Sequence, residues 1–509
     1  MEVSQSVKAS QQAVASPDGK HIAAVHSSRL EIRCATTSHL LRSMHIPAHT
    51  WAIRWAPADH HTRLSQRVLV QNEECVRVWD LADEKWAATI NNGSGGMGKI
   101  SNAEFGRTKD EALVFSEFSS KVTVWSLQTR RTVEIRDPKF STKGFAYRPS
   151  GGVFALLSRP GAQDILTLHA PETYKIMRTA TLPTTDAQGL KWSPDGRWIA
   201  VWETPSIAYK VHIYTADGHL YRTYDGSGED GLQGLGIKSL EWSPRGDYLA
   251  LGGHDRRVTL LSTRTYSPLV FLDHTQTIQL KEGYLVWEEQ VSASSGRTYN
   301  TVTQPVSPPA ASVAPADQLQ KLGMSILSFN ADGSMLATRD DSKPTAVWLW
   351  DLSKLVARAV LIQHFPIKHV SWHPHISSLL LIQCTHEEST IYIYDTATSL
   401  PHAVQLPFQK SSGKVDARWI RTGPDKKPAL TFGDSGSFLV AWPDGKDVIL
   451  RFDDDSHDES DDSLFEILTG RSPTKTKVDN TELLISHTLE EPSEVMDDTF
   501  MGRGRLAVS

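Results

Sequence analysis

A short turn sequence of the Pro-Asp-Gly kind recurs along most of this 509-residue chain. Its clearest copy is Trp192-Ser193-Pro194-Asp195-Gly196, and the residues before and after it alternate between apolar and polar. A period of two is typical of a strand with one buried face. Proline presets the turn backbone, Asp accepts hydrogen bonds from nearby backbone N–H groups, and Gly adopts positive φ. The stretch therefore predicts a β-hairpin.

The hairpin pattern is repeated about nine times. Related turns occur at 16–19, 55–57, 105–106, 147–151, 242–246, 329–333, 372–374 and Trp419. An alternating strand follows each turn, and these strands start at Leu30, Val76, Val122, Ile165, Val211, Val258, Val347, Ile391 and Phe438. Successive starts are 43–47 residues apart, except for one gap of 89. A repeat of this length indicates one structural unit copied along the chain.

The repeated strand often ends in Trp or Tyr followed by Asp, as in Val76-Arg77-Val78-Trp79-Asp80 and Val347-Trp348-Leu349-Trp350-Asp351. Propeller blades of the WD-repeat type have four strands, a period of about 40–45 residues and this Trp-Asp ending. The sequence therefore predicts an all-β WD-repeat propeller with nine blade units. We expect one closed ring, with residues 3–9 completing the last blade. Because propellers usually have about four to eight blades, two incomplete rings are the alternative.

Two regions depart from the repeat. The gap of 89 residues contains a Pro-, Ser- and Ala-rich stretch, which favours an insertion at about 284–322 within a propeller of residues 1–452. A degenerate tenth blade is the alternative there. Residues 453–498 hold 15 acidic and 3 basic side chains. A segment of this charge repels itself, so 453–509 is expected to be a disordered tail.

Tryptophans are the main candidate structural residues. We expect Trp79, Trp125, Trp350 and Trp442 to be buried between neighbouring blades. Trp192, Trp242 and Trp372, which precede repeat turns, are expected to be further repeat anchors. Asp255 is a candidate for a buried network of His, Asp, Ser or Thr, and Trp, since such networks satisfy polar groups that burial otherwise penalises by about 1–3 kcal/mol each.

Composition excludes several classes of protein. The three cysteines, Cys34, Cys75 and Cys384, are far apart and form no metal-type pair, which favours a reducing compartment. The first residues lack the basic and apolar regions of a signal peptide, and no apolar run approaches the ~20 residues of a membrane span. The net charge is −6, and the sequence has no stripe of clustered Lys and Arg residues, so nucleic-acid binding is not expected. A cytosolic or nuclear location is expected.

Some local patterns resemble catalytic motifs. Gly93-Ser94-Gly95-Gly96-Met97-Gly98-Lys99 matches part of a phosphate-binding loop, but Ile100 occupies the place of the Ser or Thr that binds magnesium. His369, His373 and His375 share one strand face, yet His373 occupies the position of Ser193 in the repeat, which favours a structural role. Scattered Ser, His and Asp residues fit the structural network better than a hydrolase triad. The sequence predicts no catalytic residue, metal or cofactor.

Three blocks carry a more specific resemblance. They are 235–244, 192–202 and 335–351, the last containing Met335-Leu336-Ala337-Thr338-Arg339-Asp340. Together they resemble WD-repeat protein eight, a subfamily found at spindle poles in fungi and at centrosomes and centriolar satellites in animals, and a fungal member in particular. The resemblance covers about residues 1–450 and is weaker in the first 150.

The resemblance implies a scaffold without catalytic residues. Members pair with a coiled-coil anchoring protein and, in fungi, with a minus-end-directed kinesin, and they hold microtubule minus ends at the pole. From the residues alone, a subunit of an RNA-processing or translation complex and a propeller enzyme stay open. In the tail, Ser472-Pro473-Thr474-Lys475 has the order preferred by cyclin-dependent kinases. Phosphorylation of Ser472 is therefore a candidate regulatory event.

Overall fold

The computed structural model describes residues 1–58, 62–91, 98–226, 235–281, 283–292, 296–311, 322–385, 388–409 and 414–447. This part of the chain folds almost entirely into strands, with two single-turn 3-10 helices at Glu117–Ser119 and Pro160–Ala162. In the same residues no helix is long and apolar enough to cross a membrane. The predicted acidic tail and Ser472 lie outside the described residues, as do 93–97 of the glycine-rich stretch.

The strands form nine sheets, which are the blades of a propeller, and their pairing is antiparallel except for one parallel pair in blade 7. We call the strands of a blade a to d in chain order. Strands a of neighbouring blades contact each other and so line the centre of the ring, whereas strand d is the outermost strand of each blade. Blades 1 to 3 consist of Val14–Ala15, His21–His26, Arg29–Cys34 and Leu40–His45; Ala52–Trp55, Arg67–Gln71, Cys75–Asp80 and Ala87–Asn91; and Ile100–Phe105, Glu111–Ser116, Lys121–Ser126 and Thr132–Arg136.

Blades 4 to 6 follow without a break in the pattern. Their strands are Phe145–Tyr147, Phe154–Ser158, Ile165–His169 and Ile176–Thr181; Ala187–Trp192, Trp198–Glu203, Val211–Thr215 and Leu220–Tyr224; and Ile237–Trp242, Tyr248–Gly253, Arg257–Ser262 and Pro268–Asp273. Blades 7 to 9 contain Met324–Phe329, Met335–Asp340, Ala346–Asp351 and Val356–Ile362; Ile367–Trp372, Leu379–Cys384, Thr390–Asp395 and Leu400–Gln405; and Asp416–Ile420, Ala429–Gly433 and Ser437–Trp442.

The repeat turn connects strands a and b, as the sequence predicted. In blade 5 the Ser193 hydroxyl donates a hydrogen bond of 2.5 Å to Asp195 Oδ1 and accepts one of 3.0 Å from the Trp198 backbone N–H. Gly196 has a φ of 69° and its N–H donates to the Ser193 carbonyl at 2.9 Å. The Ser, Asp and Gly of the motif therefore satisfy the turn's polar groups locally, so that the flanking apolar residues can be buried.

Blade 9 obtains its outer strand from the start of the chain. Glu2–Val3 and Val7–Lys8 pair antiparallel with Ser437–Trp442, with Val3 opposite Ala441 and Val7 opposite Phe438. The expected pairing of residues 3–9 with the last blade is confirmed. Because strand d of blade 9 continues directly into blade 1, this pairing joins the two ends of the ring in one sheet.

Nine apolar clusters hold the blades together, one between each neighbouring pair. For example, Ile22 and Ala24 of blade 1 pack against Val440 and Trp442 of blade 9. Each of the other eight clusters joins two blades that follow each other in the chain, from blades 1 and 2 to blades 8 and 9. Since the succession of clusters closes on itself, the prediction of one ring is confirmed and two incomplete rings are excluded.

The long gap between repeats is occupied by a hairpin. Its strands, Leu285–Ser292 and Gly296–Thr301, extend blade 7 to six strands. Leu285–Ser292 lies parallel to strand d of that blade, with Leu285 opposite Ala359. The hairpin thus covers an edge that strand d of the other blades leaves free in the described residues.

Candidate interaction surface

The propeller has two faces that differ in their loops. We call the face with the b–c turns and the d–a connections the upper face, and the face with the a–b and c–d turns the lower face. The lower face consists largely of the repeat turns described above. The upper face carries loops of more varied length and composition.

The tryptophans at the ends of strands a connect neighbouring blades. Each indole N–H donates to a carbonyl of strand a in the preceding blade: Trp55 to Val14, Trp192 to Ala146, Trp242 to Lys191, Trp372 to Ser328 and Trp419 to Ser371, at 2.8–3.4 Å. The repeat position of Trp192, Trp242 and Trp372 explains their shared geometry. Trp55 and Trp419, which occupy the same place in the repeat, are two anchors that sequence analysis did not single out.

Tryptophans on strands c pack between blades to different degrees. Trp79, Trp350 and Trp442 are buried in the clusters that join blades 1 and 2, 6 and 7, and 9 and 1. Trp125 is only half-buried, against the cluster between blades 2 and 3, so its expected burial was wrong. Its partner on the outer strand, Thr132, is exposed, which leaves that side of the indole open to solvent.

A buried polar network links blades 6 and 7. The Trp350 indole N–H donates to Thr338 Oγ1 at 2.8 Å, and His274 Nε2 lies 2.7 Å from the same hydroxyl. Burial lowers the pKa of His274 to about 3, so the ring is neutral. Asp255, which we expected in a network of this kind, is instead exposed on the b–c turn of blade 6. Asp340, at the end of the same strand as Thr338, is buried and accepts hydrogen bonds from the backbone N–H and the hydroxyl of Ser342.

The motifs that resemble catalytic sites have structural contacts. His373 is buried, and its Nδ1 accepts hydrogen bonds from the backbone N–H groups of His375 and Ile376 at 3.2 and 3.0 Å. It therefore supports the turn in the way that Ser193 does in blade 5, whereas His369 and His375 are exposed. Within the described ranges, no group of three or more His, Cys, Asp or Glu side chains could hold a metal ion.

Two cavities lie on the lower face between blades 7 and 8. Their volumes are about 330 and 290 Å³, and both are lined by Asp351 and Arg358. The Arg358 guanidinium donates to the Thr396 carbonyl at 2.5 Å, and Asp351 Oδ1 accepts from Ser353. Their charged groups are thus used to hold c–d turns, which is a structural role.

Among the residues that the structure describes, the upper face exposes four large apolar side chains on its loops. They are Trp51, Phe118, Ile207 and Leu235, with exposed fractions of 47, 90, 54 and 62 %. Phe118 is unusual because it also has a φ of 59°, in the left-handed region that a bulky residue rarely adopts. An exposed aromatic ring held on strained backbone indicates a functional constraint, since neither feature stabilises the fold.

Trp51 and Phe118 lie on upper-face loops of the neighbouring blades 2 and 3. Trp51 donates from its backbone to Gln71 at the end of strand b. Lys99 connects the b–c turns of blades 2 and 3. Its ammonium lies 2.5 Å from the Glu73 carboxylate, and its carbonyl accepts a hydrogen bond from the Glu117 N–H at 2.7 Å. We call Trp51, Glu73, Lys99, Glu117 and Phe118 the blade 2–3 patch.

The patch combines apolar side chains with acidic ones. Glu73 and Glu74 are exposed, and Lys99 is the cation placed between Glu73 and Glu117. Apolar side chains ringed by polar groups are typical of surfaces that bind other proteins. Sequence analysis missed this patch, although an isolated aromatic in Ser116-Glu117-Phe118-Ser119-Ser120 was a possible signal.

Comparisons with known proteins agree with the propeller architecture. The WD repeat-containing protein WRAP73 of Mus musculus is 30% identical over 431 residues, an alignment that covers 80% of this chain and 89% of that protein. The chain belongs to the WD repeat-containing protein family. A further relative in this family, an uncharacterized WD repeat-containing protein of Schizosaccharomyces pombe, is 29% identical over 392 residues, or 74% of this chain and 78% of that protein.

Solved structures show the same architecture at lower sequence similarity. A crystal structure of a eukaryotic initiation factor superposes with a TM-score of 0.52 at 12% identity, covering 77% of this chain and 86% of that chain. An identity this low speaks for the fold alone. No family model matches the chain.

Proposed function

We propose that this WD-repeat protein is a non-catalytic scaffold of the spindle pole or a microtubule-organising centre in the cytoplasm. In this proposal it anchors microtubule minus ends together with a coiled-coil protein and a minus-end-directed kinesin. The resemblance of blocks 192–202, 235–244 and 335–351 to WD-repeat protein eight supports the location and these partners. The relatives above, of which the alignments cover 89% and 78%, support a WD-repeat protein.

The observation that carries a scaffold role is the conformation of Phe118. Its ring is 90 % exposed and its backbone is in the left-handed region, so the fold gains nothing from this side chain. Binding a partner would bury the ring and contribute on the order of 2 kcal/mol or more, as buried aromatic residues do at interfaces. We therefore assign the blade 2–3 patch as the surface that docks a protein partner.

Proximity labelling with the full chain in dividing cells tests this function. We expect the wild type to label spindle-pole or microtubule-organising-centre proteins. A Trp51→Ser/Phe118→Ser variant should lose a subset of them, whereas Leu400→Ser, which removes a side chain as exposed as Trp51 from the outer strand of blade 8, should keep them all.

The possible results separate the function from its site. A wild type that labels no pole component would refute the proposed function. If the double variant labels the same pole proteins as the wild type, the proposed location at the pole is supported, but the blade 2–3 patch is excluded as the docking surface.

A further inference from the structure

Strand d of blade 4, Ile176–Thr181, is a bare sheet edge. Five of its six residues are exposed, more than in strand d of any other described blade. Two of these, Ile176 and Met177, are large apolar side chains with exposed fractions of 63 and 61 %. Edge strands are usually protected by charge, proline or covering elements, because their free N–H and C=O groups attract another strand.

The free backbone groups of this edge can be assigned from its pairing. Leu182 N–H donates to the Asp164 carbonyl at 3.0 Å, and the register places Ala180 opposite Leu166 and Arg178 opposite Leu168. In an antiparallel pair, inward and outward hydrogen-bonding positions alternate. The N–H groups of Thr179 and Thr181 therefore point away from the blade.

Blade 7 of the same molecule shows how such an edge is completed. There the segment Leu285-Val286-Trp287-Glu288 lies parallel to strand d, opposite residues 359–362. This added strand begins with three apolar residues and continues with Glu288 and Glu289. The residues of blade 7 that this added strand pairs with, 359–362, correspond to residues 178–181 of blade 4. The equivalence follows from Gln363 N–H and Leu182 N–H, which each donate to the residue before strand c, Thr345 and Asp164.

The charge around blade 4 favours an acidic strand. The outer strands and c–d turns of blades 3 to 5 expose six Lys or Arg side chains: Arg130, Arg131, Arg136, Lys175, Arg178 and Arg222. They expose three carboxylates: Glu134, Glu172 and Asp217. The excess of cations complements a segment that carries Glu or Asp beside its apolar residues.

We propose that strand d of blade 4 binds an extended segment of a partner protein by strand addition, and that this segment has apolar residues followed by acidic ones. Main-chain hydrogen bonds to Thr179 and Thr181 would hold the segment. Ile176 and Met177 would add apolar contacts at the start of the strand, and the exposed cations of blades 3 to 5 would attract the carboxylates of the segment. This surface lies on the outer rim, separate from the blade 2–3 patch on the upper face.

The test uses a capped, fluorescein-labelled peptide with the sequence of residues 284–291, Tyr-Leu-Val-Trp-Glu-Glu-Gln-Val. Fluorescence anisotropy measures its binding to the full chain and to Thr179→Pro, which removes one outward N–H and leaves the inward ladder intact. We expect Thr179→Pro to weaken binding at least about tenfold, the effect of losing one or two hydrogen bonds. Lys175→Glu should also weaken binding, because it reduces the excess of positive charge around blade 4. Its loss of affinity should be larger in low salt than in high salt.

Blade 1 offers a matched control. Its strand d begins Leu40-Leu41-Arg42-Ser43, and Ile46 N–H donates to the Ser28 carbonyl at 3.0 Å, so Ser43 also has an outward N–H. Ser43→Pro should bind the peptide like the wild type, and thermal unfolding should show that both variants are folded. Equal affinity in Thr179→Pro and the wild type, or an equal loss in Ser43→Pro, would overturn the proposal. A wild-type dimer in light scattering that Thr179→Pro makes monomeric would assign the edge to a second copy of the chain instead.

Discussion

Trp350 Nε1 donates a hydrogen bond of 2.8 Å to Thr338 Oγ1, and this bond ties strand c of blade 7 to strand b inside the cluster shared with blade 6. His274, which follows strand d of blade 6, contacts the same hydroxyl at 2.7 Å. One threonine therefore connects two blades through a tryptophan and a histidine. The Trp-Asp signature of the repeat marks a place where burial and hydrogen bonding support each other.

The first prediction concerns Trp350. Trp350→Ala should lower the free energy of unfolding by about 3–5 kcal/mol, because it leaves a cavity in the cluster between blades 6 and 7. Trp125→Ala should cost clearly less, since Trp125 is half-buried. Urea unfolding of the two variants gives the comparison, and equal losses would contradict the assigned difference in packing.

The second prediction concerns the hairpin on blade 7. Glu289 is fully buried; its Oε1 lies 2.5 Å from Arg297 Nη1 and accepts from the Tyr392 hydroxyl of blade 8 at 2.8 Å. Arg297→Met should cost about 3–5 kcal/mol of unfolding free energy, because it leaves a buried carboxylate without its cation. The double variant Glu289→Gln/Arg297→Met should recover part of this loss.

Blade 6 supplies the control for that measurement. Arg257 and Asp273 form a pair of similar length, 2.6 Å, but both side chains are substantially exposed. Arg257→Met should therefore cost only about 0–1 kcal/mol. If the two arginine variants lose the same stability, burial is not what makes the Glu289–Arg297 pair important.

The repeat made much of the fold predictable from the sequence. Every strand c was placed within one residue of its observed start, as with Val76 against Cys75 and Ile165 against Ile165. This accuracy follows from the turn and from alternating burial, which are local properties of the chain. The closing pair between Val3 and Ala441 was also predictable, because a ring of blades needs a fourth strand for its last sheet.

Other features depend on contacts that local patterns do not contain. The incomplete burial of Trp125 depends on the exposed Thr132 beside it, and the network around Thr338 contains His274 and Trp350, whereas Asp255 is exposed. The sequence indicated an insertion at about 284–322 but not the parallel pairing of Leu285 with blade 7. The left-handed backbone of Phe118 has no propensity signal, so the blade 2–3 patch emerged only from the structure.

The third prediction is a loss of stability in mild acid. Burial lowers the pKa values of His169, His212, His274 and His373, to about 3 for His274 and about 4 for His373. Below the unfolded value of about 6.5, the unfolded chain takes up protons that the folded ring excludes. Stability is therefore fully present above about pH 6.5 and falls as the pH drops towards the folded values.

Urea unfolding at pH 7 and pH 5 measures this effect. Each such histidine contributes up to about 1.4 kcal/mol per pH unit well below its unfolded pKa. His373→Asn, which keeps a side-chain acceptor for the turn N–H groups, should reduce the difference between the two pH values by roughly one histidine's share. The same free energy of unfolding at pH 7 and pH 5 would contradict the neutral, buried state of these rings.

The fourth prediction separates the two properties of Phe118. Phe118→Gly removes the ring and also relieves the left-handed backbone, which costs an L-residue about 1–2 kcal/mol; the greater freedom of unfolded glycine offsets part of the gain. We expect a net stabilisation of about 0.5–1 kcal/mol in urea unfolding. Phe118→Ala removes the ring without relieving the backbone, so its stability should match the wild type.

Both variants should lose the labelling of any partner that binds the blade 2–3 patch. If Phe118→Gly is instead less stable than Phe118→Ala, the loop has no strain to release, and the argument that Phe118 is retained for binding fails.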